Sequence, residues 1–321
     1  MTSAQPRPQA DSGDADDLGF AFAAMACDAQ VRLGGRPEAE AAVLAKLAID
    51  EVRRIEAKYS RYAPDSIVSR INAQAGSGTP VEVDTETADL LDFAATLFSA
   101  SGGLFDLTSG ILRRAWDFRT QRVPLQAELD ALLPCVGWQH VVWERQPRGG
   151  CIALTRAGMQ LDFGGIGKEY AADRAATLLQ SHGVRHGLVN LGGDIRLMGP
   201  RPDGSAWQLG VRHPRDPLRL SAHMSLYDGA LATSGDYERF IELDGRRYSH
   251  LLDPRTGWPV QAWQSVSVVA PACLAAGALS TVAMLQGDGA LPFLASQGVD
   301  YLAVDRLGVV HRAASPIHPS P

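Results

Sequence analysis

The sequence has little cysteine, no excess of basic charge and no long apolar run. Its four cysteines, Cys27, Cys135, Cys151 and Cys273, form no Cys-x-x-Cys pair, which argues against a zinc site. Thirty Lys and Arg against 36 Asp and Glu give a net charge of −6, so bulk attraction to nucleic acid is not expected. No apolar run approaches the roughly 18 residues that a membrane-spanning helix needs. Zinc-finger, nucleic-acid-binding and transmembrane classes are therefore disfavoured.

The two ends of the chain differ in composition from its middle. The N-terminal residues are polar and acidic and lack the basic and apolar regions of a secretory signal, which predicts a cytoplasmic protein. We expect residues 1–18 and 314–321 to be disordered tails. Hydrophobic residues make up 45% of the chain, enough for a packed core, and we expect residues 19–313 to form one domain.

Hydrophobic periodicity predicts helices and short strands in irregular order. The predicted helices cover 37–59, 67–71, 85–99, 168–181 and 272–286. The predicted strands cover 19–33 with a bulge or loop at Cys27–Asp28, 151–155, 159–163, three strands within 186–212, 237–243, 265–270 and 301–304. Because the helices do not alternate strictly with strands, this order predicts an α+β fold with a largely antiparallel sheet.

The most informative motif is Asp162-Phe163-Gly164-Gly165-Ile166-Gly167-Lys168, where a predicted strand turns into a helix. Such a glycine-rich turn lets backbone N–H groups and a helix N-terminus approach a phosphate, and Lys168 adds a positive charge. The segment is neither GxGxxG nor a P-loop, so the standard nucleotide motifs do not apply. A tight turn with a solvated lysine explains the same residues equally well.

Three later motifs are compatible with a ligand site. Asp194 follows a Gly-Gly pair and either accepts a hydrogen bond from a ligand or caps a turn. Thr233 and Ser234 precede a glycine, a pattern found both in phosphate contacts and in ordinary hydroxyl turns. His250, with Asp253 and Thr256 close in sequence, could be a general base and its setting, although a lone histidine is more often structural.

In this fixed order the motifs resemble the ApbE family of FAD:protein FMN transferases, from about Phe20 to Gly287. The matching pieces are Met25-Ala26, SRYAPDSIVSRIN, GGLFDLTSG, LDFGGIGKEYAADRA, LVNLGGDIR, ATSGDY and YSHLLDPRTGWPV. The resemblance implies an α+β T-fold-like body with a smaller α/β portion. It also implies an enzyme that cleaves FAD, attaches FMN through a phosphoester to a Thr or Ser of a target flavoprotein, and releases AMP.

The resemblance assigns roles to named residues of this sequence. Met25 would lie near the adenine end of FAD and Tyr62 would stack on the flavin. His250, beside Leu251 and Leu252, would be the catalytic base towards the acceptor hydroxyl. The remaining cofactor-binding positions implied by the motifs are Leu104, Phe105, Asp106, Asp162, Lys168, Asp194, Thr233 and Leu251.

One segment departs from the family pattern. The family usually reads Ala-Asp-Ala-Leu-x-Thr-Ala in a late helix, and its Asp and Thr bind Mg²⁺ together with a backbone carbonyl that maps to Gly165. Here Thr281 is present, but Gly277 replaces the Asp. Mg²⁺ rarely binds without a carboxylate. The Mg²⁺ site is therefore in doubt, and an FAD-binding paralogue with lost transfer, or an FAD pyrophosphatase, is the alternative. On this basis Gly277→Asp is expected to raise Mg²⁺ affinity.

Overall fold

The helices and strands are described from a computed structural model, for residues 17–118 and 120–313. Most of the two predicted tails lies outside these residues, but Asp17 and Leu18 belong to the first strand rather than to a tail. The α-helices within this range are α1 (Glu38–Tyr59), α2 (Ile67–Ala73), α3 (Thr85–Ala100), α4 (Gln126–Leu132), α5 (Gly167–Ser181), α6 (Cys273–Gln286) and α7 (Ala290–Gln297). A 3₁₀ helix spans Leu107–Arg114.

The strands are mostly short. They are β1 (Asp17–Ala24), β2 (Cys27–Gly34), β3 (Val81–Val83), β4 (Val141–Gln146), β5 (Gly149–Leu154), β6 (Gly187–Leu191), β7 (Asp194–Leu197), β8 (Trp207–Arg212), β9 (Leu220–Leu226), β10 (Ala230–Gly235), β11 (Phe240–Leu243), β12 (Arg246–Ser249), β13 (Trp263–Ala270), β14 (Asp300–Asp305) and β15 (Val310–Arg312).

Eight of these strands form the main sheet, in the order β1-β2-β6-β7-β10-β13-β14-β15. Neighbouring strands in this sheet pair antiparallel. A smaller sheet has the order β3-β5-β4, and the pairs β8–β9 and β11–β12 form separate hairpins. The predicted α+β class with a largely antiparallel sheet is therefore confirmed.

The main sheet is covered on both faces because its strands alternate inward and outward side chains. In β6, Val189 belongs to the large core under α1 and α5, whereas its neighbour Leu188 belongs to a second cluster with Trp207 and Leu209 of β8. Helix α6 packs against β10 and β13 and also contacts α5. The sheet thus fixes α5 and α6 side by side, and the candidate site forms where these two helices meet the strand ends.

Local capping explains where two of the predicted helices begin. The Ser66 hydroxyl accepts a hydrogen bond from the Ser69 N–H and caps α2. The Asp84 carboxylate accepts one from the Thr87 N–H and caps α3. Each cap immediately precedes the residue, 67 or 85, at which the sequence predicted the helix to begin.

Several predicted elements were wrong or incomplete. Residues 159–163 form no strand; the segment is irregular and leads directly into α5. The turn after β1 lies at Met25–Ala26 rather than at Cys27–Asp28. The strand predicted at 237–243 begins only at Phe240. The elements that were not predicted are strands β3, β4, β9, β10, β12 and β15 and helices α4 and α7. Strands β9 and β12 pair only with a neighbour in sequence and show little hydrophobic alternation, whereas β10 is largely buried and pairs with β7 and β13.

Candidate active site

A cavity of about 440 Å³ opens where the β1–β2 turn, the N-terminus of α5, the end of β10 and one face of α6 converge. It is large enough for part of a dinucleotide-sized ligand. Every residue to which the family resemblance assigns a role lines this cavity, except Asp194. These lining residues are Met25, Tyr62, Leu104, Phe105, Asp106, Asp162, Gly165, Lys168, Thr233, His250, Leu251 and Thr281. Tertiary structure therefore brings together motifs from most of the chain.

Two residues of the β1–β2 turn have a strained backbone conformation beside the cavity. Met25 and Ala26 have φ values of 53° and 59°, a left-handed region that usually favours glycine or asparagine. The Met25 N–H donates a hydrogen bond to Glu56 Oε1 at 2.6 Å, which anchors the turn to α1. Backbone strain of this kind concentrates at ligand sites, so this turn is a candidate contact for one end of the ligand.

Residues 162–168 form a tight turn with its glycines in close contact. The Gly164 N–H donates to Asp162 Oδ1 at 2.8 Å, and a Cβ on Gly165 would lie 3.3 Å from the Phe105 ring. Asp162 is held by Arg61, whose Nη1 lies 3.0 Å from Oδ2, with Arg113 Nε at 3.5 Å. The first turn of α5 lines the cavity, so the positive end of the helix dipole can face a bound anion there.

Lys168 is not the solvated lysine that one interpretation of the sequence allowed. Its Nζ lies 2.6 Å from Oδ2 of Asp194, which is only 2% exposed. Burial opposes the positive charge of Lys168, but Asp194 and Glu169 hold its pKa above the ordinary value. Asp194 Oδ1 also accepts the Thr233 N–H at 3.2 Å. Asp194 thus lies behind the cavity wall, where it orients Lys168 and the β10 backbone.

Basic side chains line the cavity wall together with the acids Glu56, Asp106, Asp162, Glu169 and Glu238. Arg61, Arg113, Lys168 and Arg239 all line it. Tyr62 stands at the mouth, 75% exposed, with the Arg61 guanidinium 5.6 Å from its ring centroid. An exposed aromatic ring beside several cations suits a ligand that has both a planar ring system and phosphate groups.

Asp106 lines the cavity, but its carboxylate is hydrogen-bonded within the protein. Its Oδ1 accepts from the Thr108 N–H at 2.8 Å and hydroxyl at 2.7 Å, and Oδ2 accepts from the Trp138 N–H at 3.0 Å. Burial raises the pKa of this carboxyl, and these hydrogen bonds oppose that rise. Both carboxylate oxygens are therefore engaged in shaping the loop that carries Leu104 and Phe105.

His250 lines the cavity after the end of β12, and its environment favours the neutral imidazole. Burial, together with the positive charges of Arg113 and Arg239, lowers the pKa of His250 to about 3. Its Nδ1 is buried and has no hydrogen-bond partner among the described residues. The imidazole is therefore in its neutral form, the only form of histidine that can accept a proton.

The suggestion that Asp253 and Thr256 support His250 is wrong. Asp253 pairs with its own neighbour Arg255, with Nη2 and Oδ2 2.7 Å apart. The Thr256 hydroxyl oxygen accepts the Trp258 N–H at 3.2 Å. Neither residue lines the cavity. Asp253 and Thr256 therefore stabilise the following turn, and they do not orient the imidazole.

Three hydroxyls meet at the α6 side of the cavity. Ser234 Oγ lies 2.9 Å from both Ser280 Oγ and Thr281 Oγ1, and Ser280 Oγ donates to the Gly277 carbonyl at 3.0 Å. Thr233 Oγ1 lies 2.8 Å from Ser267 Oγ on the next strand. These oxygens are of the type that hard cations prefer. Within residues 17–118 and 120–313, however, no three His, Cys, Asp or Glu side chains group closely enough to hold a metal by themselves.

Glu169 is a cavity residue that the sequence analysis missed. It is 7% exposed, and its Oε2 has no hydrogen-bond partner among the described residues. Burial and the nearby Asp194 raise its pKa to about 8, against the opposing charge of Lys168. The sequence did contain a signal, because Glu169 falls on the buried face of α5 with Ala172 and Ala176. A carboxylate on an apolar helix face needs a partner or a function.

Comparisons with known proteins agree on one family. Residues 25–303 match the profile of the ApbE family. A protein of Vibrio cholerae named FAD:protein FMN transferase is 34% identical over 243 residues, covering 74% of this chain and 71% of that protein. Its Escherichia coli namesake is 31% identical over 234 residues, covering 71% of this chain and 66% of that protein. The aligned part thus spans about two thirds or slightly more of these relatives.

The fold agrees as well. The crystal structure of the ApbE protein from Thermotoga maritima superposes with a TM-score of 0.85 at 30% identity, covering 93% of this chain and 97% of that one. No helix in the described part of this chain combines the length and apolar character needed to cross a membrane.

Proposed function

This chain belongs to the ApbE family, and from that membership we propose that it is an FAD:protein FMN transferase acting on a protein acceptor. The observation that carries the proposal is the combination of groups in one cavity. Lys168, three arginines and the first turn of α5 line the same cavity, while His250 has a ring nitrogen without a hydrogen-bond partner among the described residues. That set matches the needs of phosphoryl transfer: an anion cradle, positive charge and a base.

The proposed reaction is a displacement at phosphorus. The hydroxyl oxygen of an acceptor Thr or Ser attacks the phosphorus of the FMN half of FAD. The bond from that phosphorus to the bridging oxygen breaks, and AMP leaves with the bonding electron pair. His250 takes the hydroxyl proton, and the new phosphoester joins FMN to the acceptor.

The cavity residues would hold FAD by different parts. Tyr62 would stack on the flavin at the mouth, and Met25 would contact the adenine end at the β1–β2 turn. Lys168, oriented by Asp194, would neutralise the pyrophosphate at the N-terminus of α5. The other proposed contacts are the loop residues Leu104, Phe105 and Asp106, together with Asp162, Thr233 and Leu251.

The donor set fits Mg²⁺, because the Glu169 carboxylate and the Thr281 hydroxyl both line the cavity. Oε2 of Glu169 has no hydrogen-bond partner among the described residues. The Gly165 carbonyl is a further proposed ligand. When bound, Mg²⁺ would neutralise charge on the pyrophosphate oxygens. The predicted cytoplasmic location, the single domain at 19–313 and the identity of the acceptor motif stay predictions.

The test follows AMP release and acceptor mass in purified protein given FAD, Mg²⁺ and an acceptor domain with a Ser/Thr flavinylation motif. AMP together with an FMN adduct is the expected result, and an acceptor whose Ser/Thr is replaced by Ala is the control. His250→Gln should bind FAD but lose transfer. His223→Gln changes an exposed side chain on β9 and should keep both FAD binding and transfer. The alternative suggested by Gly277 predicts FAD binding without AMP or adduct, and a pyrophosphatase predicts AMP without adduct.

A further inference from the structure

Gly277 of α6 lies directly against the Glu169 side chain of α5. A Cβ built on Gly277 would lie 2.8 Å from Oε1 and 2.9 Å from Cδ of Glu169. Such distances are shorter than carbon atoms tolerate, so the space in which a side chain at 277 would begin is already filled. The carboxylate of Glu169 thus lies where an acidic side chain from position 277 would begin.

One oxygen of the Glu169 carboxylate lacks a hydrogen-bond partner among the described residues. Oε2 is buried and forms no hydrogen bond within the described residues. The adjacent cation, Lys168, is engaged with Asp194 at 2.6 Å. An unpaired buried carboxylate is costly, and proteins normally retain one only where it binds a cation or acts chemically.

Oxygen donors lie around the same place. Thr281 is one helical turn beyond Gly277 on α6, and both Glu169 and Thr281 line the cavity. Ser234 Oγ, 2.9 Å from the Thr281 hydroxyl, adds a neighbouring oxygen from β10. One carboxylate, hydroxyl oxygens and the phosphates of a substrate form a donor set typical of Mg²⁺ sites.

We propose that Glu169 supplies the carboxylate ligand for the Mg²⁺ that binds with FAD, in place of an acid at position 277. The metal-binding acid would then have moved from α6 to α5 while its position in space is kept. The inference rests on the proposed function, because the metal is expected to bind together with the FAD pyrophosphate.

The test measures metal affinity directly, with Mn²⁺ as a paramagnetic probe for Mg²⁺. Free Mn²⁺ is followed by electron paramagnetic resonance in the full-length protein saturated with FAD, and FAD binding is measured separately by flavin fluorescence. Glu169→Gln keeps the size of the side chain and removes its charge. Loss of an outer-shell partner of a metal ligand already costs roughly 10- to 100-fold in affinity, so we expect loss of the ligand itself to weaken Mn²⁺ binding by at least that factor.

Two further variants separate ligation from general electrostatics and from misfolding. Glu238→Gln removes an equal charge from an exposed residue of the cavity wall and should leave Mn²⁺ affinity almost unchanged. Glu169→Ala combined with Gly277→Asp returns a carboxylate to the same space from α6 and should recover most of the affinity. Recovery would show that the loss in Glu169→Gln came from the missing carboxylate.

Unchanged Mn²⁺ affinity in Glu169→Gln would overturn the proposal, as would an equal loss in Glu238→Gln. These outcomes are distinct from failure of the proposed function. If the unmodified protein does not bind FAD, the transferase assignment fails. If the unmodified protein and Glu169→Gln bind FAD and Mn²⁺ with equal affinity, only the proposed role of Glu169 fails.

Discussion

Lys168 Nζ lies 2.6 Å from Oδ2 of Asp194, and this ion pair joins the first turn of α5 to the start of β7 at the base of the cavity. Asp194 is 2% exposed, while the Lys168 side chain keeps about a third of its surface accessible. The carboxylate is thus a fixed support behind a lysine that can still meet a ligand.

Because of this ion pair, we expect Asp194→Asn to lower the stability of the protein. The change leaves Lys168 without its counter-charge and weakens the acceptor of the Thr233 N–H, so we expect a loss of about 1–3 kcal/mol in the free energy of unfolding. Partial exposure of Lys168 keeps this below the cost of a fully buried pair. Urea denaturation measures it.

The matched control is Lys168→Met combined with Asp194→Asn. Because neither charge is then left alone, the double variant should lose less stability than the two single losses added together. Strict additivity would show that the two side chains are not energetically coupled.

The contact between Gly277 and Glu169 corrects an expectation drawn from the sequence. Gly277→Asp alone was expected to raise Mg²⁺ affinity, but its Cβ would collide with Glu169. We expect even Gly277→Ala to cost about 1–3 kcal/mol of stability, because overpacking forces neighbours to move. Thermal or urea denaturation measures the loss.

Truncation of the opposing side chain tests the cause. In the Glu169→Ala background the Gly277→Ala substitution should be nearly neutral, since the space is then open. A cost that is the same in both backgrounds would mean that Glu169 is not the obstacle.

The environment of His250 predicts a pH dependence. With its pKa at about 3, against an ordinary value of 6.5, the folded protein excludes a proton that the unfolded chain binds between these values. The free energy of unfolding should therefore fall as pH is lowered through this window. In His250→Gln the fall between pH 7.5 and 5 should be smaller.

His223→Gln provides the comparison, because its side chain is exposed on β9. It should show the same pH dependence as the unmodified protein. If His250→Gln also shows an unchanged slope, or if NMR finds the imidazole charged at pH 6, the low pKa of His250 is wrong.

Replacement of Tyr62 should weaken FAD binding without changing the stability of the fold. Its ring is 75% exposed at the cavity mouth, so Tyr62→Ala removes little packing from the folded protein. Loss of a stacking partner worth about 0.5–1.5 kcal/mol should weaken FAD binding by roughly 2- to 12-fold. Flavin fluorescence quenching measures the Kd.

Tyr227→Ala is the matched control, since this tyrosine is 54% exposed and does not line the cavity. It should leave the FAD affinity unchanged. Equal affinities for Tyr62→Ala and the unmodified protein would show that Tyr62 does not contact the flavin.

Local patterns in the sequence were enough for the fold class and for most helices. The apolar face of α1, the Ser66 and Asp84 caps and the strand–turn–strand pattern at β6–β7 all depend on residues within a few positions of one another. The irregular segment at 159–163 was misjudged because alternation alone cannot show whether a neighbouring strand is available for pairing.

The sequence by itself determined which chemical groups this protein has and which short motifs carry them. It could not show that Lys168 is paired with Asp194, nor that Glu169 fills the space beside Gly277. Those contacts join separate elements, and they exist because α5 packs on β7 of the main sheet and beside α6. Long-range packing, which leaves no local pattern, therefore decided where the carboxylate of the candidate metal site comes from.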